Sequence, residues 1–120
     1  MTKKTLVLGA STNQNRYSHI AIQRLLLKNH SVRAIGKKEG VVSSVKIYTA
    51  NELFKNIDTV TIYLNPKNQE EYYKYIIELN PKRVLFNPGT ENPFFEQLLT
   101  KNNITFERAC TLVLLGINRY

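Results

Sequence analysis

Apolar runs of four or five residues recur along this chain, each set off by a polar turn and a stretch of helical spacing, and that alternation constrains the fold most. Thr5-Leu6-Val7-Leu8 is the first run, ended by Gly9, and it suits a strand buried on both faces. After a polar loop, Ser18 is placed to cap a helix that carries Ile20, Ala21, Ile22, Leu25 and Leu26. Val32-Arg33-Ala34-Ile35 is the second strand. Val45 to Tyr48 is a brief extended piece, and Asn51 to Asn56 is expected to form a short helix. The β-branched run Thr59-Val60-Thr61-Ile62-Tyr63 is the third main strand. Asn65-Pro66 and Asn92-Pro93 each announce a helix, with asparagine as cap and proline at the first helical position. Arg83 to Phe86 and Ile104 to Phe106 supply the fourth and fifth strands, and Ala109 to Leu115 a closing helix.

Strands alternating with helices at this spacing join as parallel strands through right-handed crossovers. The expectation is therefore an α/β, Rossmann-type, three-layer domain with a five-stranded parallel sheet, spanning residues 1–120 as one unit. Such sheets bind ligands beyond the carboxyl ends of their strands, where the strand order reverses. The loops to search are Gly9–Tyr17, Gly36–Gly40, Tyr63–Asn65 and Asn87–Thr90.

Composition narrows the function classes. No apolar run is long enough to span a bilayer, the first residues lack the apolar stretch of a signal peptide, and the single cysteine excludes an intrachain disulfide. A cytoplasmic protein without metal or membrane is expected. Seventeen Lys and Arg against nine Asp and Glu leave a formal charge of +8, which favours an anionic ligand. The basic residues are scattered along the sequence rather than gathered in a tail or stripe, which argues against nucleic acid as the partner.

The first loop, Gly9 to Ser18, carries the groups that phosphate requires. Gly9 permits a sharp turn, Ser11 offers a hydroxyl, the following helix presents free N–H groups, and Arg16 can fork across two oxygens. Ser11 and Thr12 stand where a dinucleotide fingerprint has further glycines. The second strand ends Ile35-Gly36-Lys37-Lys38, where an NAD site wants a carboxylate for the ribose hydroxyl. Two lysines there favour a ribose that bears a phosphate, as in NADP or coenzyme A. No Ser/His/Asp arrangement, metal-ligand spacing or other catalytic pair stands out. Cys110, in an apolar segment, has the surroundings of an inert packing residue.

Gly9-Ala10-Ser11 with Asn13 and Arg16, the strand Lys46-x-Tyr48, the run Ile57-Asp58-x-Val60, the loop Asn87 to Pro93 and the segment Ala109 to Val113 occur in an order that resembles one family. It is that of small stand-alone CoA-binding proteins, related to the nucleotide-binding domain of the succinyl-CoA synthetase alpha subunit. The resemblance runs from Leu6 to about Leu115. It implies a non-catalytic domain that binds coenzyme A or an acyl-CoA. Gly9, Ala10, Ser11 and Arg16 would hold the pyrophosphate end, Lys37 would approach the ribose phosphate or adenine, and Asn13, Ser18 and Gly36 would complete the cofactor-binding set. Tyr63, Asn65, Pro66 and Asn87, Pro88 and Gly89 would line the pantetheine arm, and Cys110 matches the family's cysteine. Gly36-Lys37 and Leu64 depart from the Asn-Pro and arginine of many members. An NADP-dependent oxidoreductase-like domain and a basic nucleic-acid-binding module are the alternatives.

Overall fold

The first strand, β1 (Thr5–Ala10), lies at the middle of the sheet because it is apolar on both faces: Thr5 to Leu8 are all inaccessible to solvent. The computed structural model describes residues 2–120. After β1 come α1 (Tyr17–Leu27), β2 (Val32–Gly36), β3 (Gly40–Val42), β4 (Val45–Tyr48) and β5 (Thr59–Ile62). The chain continues with α2 (Pro66–Gln69), a 3-10 turn (Glu70–Tyr72), α3 (Tyr73–Leu79), β6 (Arg83–Phe86), α4 (Pro93–Lys101), β7 (Thr105–Arg108) and α5 (Thr111–Gly116). The strands form one sheet in the order β3-β4-β2-β1-β5-β6-β7, parallel throughout except for the β3–β4 hairpin.

Alternation along β1 divides the core in two. Leu6 and Leu8 join Val60, Ile62, Val84 and Phe86 beneath Ile76 of α3 and Phe95 and Leu99 of α4. Val7 joins Ala34 and Ile47 beneath Ile22 and Leu25 of α1 and Leu115 of α5. Helices therefore cover both faces. Each fully buried Leu, Ile or Phe contributes about 1.5–3 kcal/mol relative to exposure.

The sheet has seven strands where five were expected. The brief piece Val45–Tyr48 is a full member, pairing with β2, and Gly40–Val42 folds back on it as a three-residue edge too short to show a period. No helix forms at Asn51–Asn56. From β4 the chain must pass β2 and β1 to reach β5, about 14 Å at the usual strand spacing. A six-residue helix rises only about 9 Å, so an extended path serves better.

Both Asn-Pro signals are realised. The Oδ1 of Asn65 accepts from the N–H of Asn68 at 3.0 Å, and that of Asn92 from Phe95 at 3.1 Å. Ser18 is not a cap; α1 begins at Tyr17 with Arg16 in the capping position, and Ser18 is buried inside the first turn. The closing helix starts at Thr111 rather than Ala109, because the Ala109 N–H still extends the ladder to the carbonyl of Phe86.

Candidate functional site

Strand order reverses beside β1, whose two neighbours are β2 and β5, and a crevice of about 710 Å³ opens there at the carboxyl ends of the strands. That volume is in the range of small-molecule and cofactor sites. Its floor is the loop after β1. The N–H of Asn13 donates to Ser11 Oγ at 3.0 Å, that of Asn15 to Asn13 Oδ1 at 2.9 Å, and that of Arg16 to the Asn13 carbonyl at 3.0 Å. These local bonds wind the loop straight into α1. Among the described residues no side chain caps that helix, and Arg16, Tyr17 and Ser18 at its start line the crevice, which places the positive end of the helix dipole there. The Nδ1 of His19 lies 3.1 Å from the Ser11 carbonyl and ties helix to loop.

Gly9 is required by its geometry. At φ +95 an added Cβ would lie 3.1–3.2 Å from the Leu64 side chain and the Tyr63 carbonyl carbon. The opposing walls are held together by Gln69, which is wholly buried. Its Nε2 donates to the carbonyls of Leu64 at 2.9 Å and Thr90 at 2.8 Å, while Asn92 Nδ2 donates to its Oε1 at 3.0 Å. One side chain thus fixes the loops after β5 and β6. Sequence reasoning missed it; a glutamine in a helical stretch looks solvated until its partners are known.

Of the expected residues, Gly9, Ala10, Ser11, Asn13, Arg16, Ser18, Lys37, Tyr63, Asn65 and Pro88 line the crevice. Thr12, Tyr17, Lys38, Leu64, Asn68 and Thr90 line it as well. No carboxylate does among the described residues, so Arg16, Lys37 and Lys38 give the crevice a positive potential. Tyr63 contributes apolar surface. Its hydroxyl is buried beside Thr61 and Thr111 without a hydrogen bond, and burial pushes it up to about 12. It remains a neutral phenol near pH 7.

Five expected residues stand outside this lining. Gly36 has a structural reason: an added Cβ would sit 2.2 Å from the Ala10 carbonyl oxygen. Asn87 is buried, its Nδ2 donating to Thr61 Oγ1 and the Ile62 carbonyl, both at 2.8 Å, while its Oδ1 accepts from the Thr111 N–H at 2.9 Å. It joins β5, β6 and α5. Pro66 is the first residue of α2. Gly89 has φ +90 in an exposed turn whose N–H donates to Glu91. Cys110 is half-buried in the capping position of α5.

Among the described residues no helix is long and apolar enough to cross a membrane, and no cluster of three or more metal-ligating side chains occurs. No curated protein matches the chain. An uncharacterized protein of known crystal structure is 43% identical, with a TM-score of 0.97 over 100% of this chain and 99% of the other. A conserved hypothetical protein from Pyrococcus furiosus is 28% identical, with a TM-score of 0.81 over 92% and 97%. A hypothetical protein from Pyrococcus horikoshii OT3, 24% identical with a TM-score of 0.85 over 93% and 80%, shares the fold. The sequence profile of the CoA binding domain matches residues 3–116, nearly the full length, and the chain belongs to that family.

Proposed function

We propose that this chain binds coenzyme A, free or acylated, in the crevice between β1 and β5, and catalyses no reaction itself. The observation that carries the reading is a cofactor-sized crevice at the strand reversal, with Arg16, Lys37 and Lys38 on its walls and no carboxylate among its described lining. The family supports CoA over other phosphorylated nucleotides. The sheet order supports a Rossmann-type mode of binding.

In this reading the first turn of α1 and the Arg16 guanidinium receive the pyrophosphate, which Gly9 allows to approach the backbone. Lys37 and Lys38 meet the phosphate on the ribose. The pantetheine arm runs along Tyr63, Leu64, Asn68 and Thr90, whose positions Gln69 and Asn87 fix.

Titration calorimetry with CoA, dephospho-CoA and NADP tests this. CoA is expected to bind about fivefold more tightly than dephospho-CoA at low salt, the worth of one well-placed ionic contact. Equal affinities would remove the lysines from the site. Tighter binding of NADP than of CoA would replace the proposed ligand with the alternative.

A further inference from the structure

The turn that carries Lys37 and Lys38 is held at both ends by the loop that follows β1. It comprises residues 37–39, between the end of β2 at Gly36 and the start of β3 at Gly40. Gly36 sits so close to the Ala10 carbonyl that no side chain fits. Gly40 meets the same loop two residues further on, where an added Cβ would lie 2.4 Å from Thr12 Cγ2. Neither glycine has the left-handed φ seen at Gly9 and Gly89. Space, and not backbone conformation, is what requires glycine at position 40.

Elements outside the turn fix these two points. Gly40 pairs with Ile47 across the β3–β4 hairpin, and Ile47 pairs in turn with Ala34 of β2. Val42 is buried with Ile22 and Leu25 of α1. The loop on the other side is wound by its own bonds, through Ser11 Oγ and Asn13 Oδ1. The turn has no such support. Among the described residues no backbone bond outside helices and strands involves residues 37–39, and all three are exposed. Contact at its two ends is therefore what positions it. Lys37 and Lys38 line the crevice, and Glu39 does not.

We infer that Gly40 is a positioning residue for the phosphate on the ligand's ribose. Its close approach to Thr12 holds the two lysines against the loop that receives the pyrophosphate, and so sets the preference for nucleotides phosphorylated on the ribose. This rests on the CoA reading above. Carbon atoms pack at about 3.5–4.0 Å, so a methyl group at residue 40 must displace its surroundings by about 1 Å. Threonine is stiff at χ1 and its loop is bonded, so the unbonded turn is the part that yields. The lysines move with it, by a distance that matters to a placed ionic contact, while the pyrophosphate groups stay. A turn fixed before the ligand arrives also leaves only the lysine side chains to be ordered on binding.

Titration calorimetry of Gly40→Ala with CoA and dephospho-CoA tests the role. The parent's preference for CoA, about fivefold at low salt, should shrink to about twofold or less. Affinity for dephospho-CoA should stay within about twofold of the parent's. Thr12→Ser/Gly40→Ala moves the methyl group from one side of the contact to the other and should recover the preference, which a general defect of the hairpin would not allow. Trypsin supplies a readout that needs no ligand. Cleavage after Lys37 and Lys38, followed by mass spectrometry, should be at least about tenfold faster in folded Gly40→Ala than in the parent. A preference kept in Gly40→Ala, an unchanged cleavage rate, or no recovery in the double variant would overturn the inference. Equal affinities in the parent would instead overturn the reading of the lysines, and this role with it.

Discussion

Gly36→Ala is expected to destabilise the protein by about 2–4 kcal/mol, a large effect for a single methyl group. The new Cβ would lie 2.2 Å from the Ala10 carbonyl oxygen and 3.1 Å from Ile47 Cγ2. The first obstacle is backbone, and no rotamer change can move it. β1 and β2 would have to part where their register already shifts between Leu8 and Ala10, at the root of the phosphate-facing loop. In a domain of this size the loss corresponds to a fall of about 10–20 °C in melting temperature. Urea unfolding measures it directly. Gly116→Ala is the control, since an added Cβ there meets nothing within 4 Å and the position is helical. That variant should be neutral or slightly more stable. A Gly36→Ala protein as stable as the parent would mean that the strands are not this close.

Arg16→Ala is expected to weaken CoA binding about tenfold or more, with stability changed by less than about 0.5 kcal/mol. The side chain is exposed in a polar loop and buries nothing in the core, so its loss should leave the fold alone. At the head of an uncapped helix it can fork across pyrophosphate oxygens. Arg16→Lys should recover part of the loss, because an ammonium keeps the charge but not the fork. Calorimetry on the three proteins separates these outcomes. Equal affinities would leave Arg16 as a solvated residue beside the crevice.

The parts of this structure legible in sequence are those written in local chemistry. Asn65-Pro66 and Asn92-Pro93 state their helix starts because cap and proline act within four residues. The buried strands β1, β5 and β6 announce themselves by continuous apolar or β-branched runs. The loop from Gly9 to Ser18 is likewise legible, since its turn residues and the helix that follows are adjacent in the chain.

What was not legible depends on distant partners. β3 has three residues and is a strand only because β4 runs beside it. The segment before β5 is extended because the sheet order makes it cross two strands. Gly36 and Asn87 are expected at the ligand from the family resemblance, and the structure gives each a packing role besides. Their reasons are the Ala10 carbonyl and the β5–α5 junction, neither visible from their neighbours in sequence. Gln69 is the converse case, silent in sequence and central to the crevice walls.

The central claim is that CoA occupies the crevice between β1 and β5, and amide chemical-shift mapping of the labelled protein tests it most directly. With saturating CoA, the amides expected to shift are those of residues 9–18, 37–38, 63–68 and 88–90. Those in the turns at the opposite end, near Lys28, Lys82 and Lys101, should stay in place. Shifts centred on those turns, or no shift at any amide, would contradict the account.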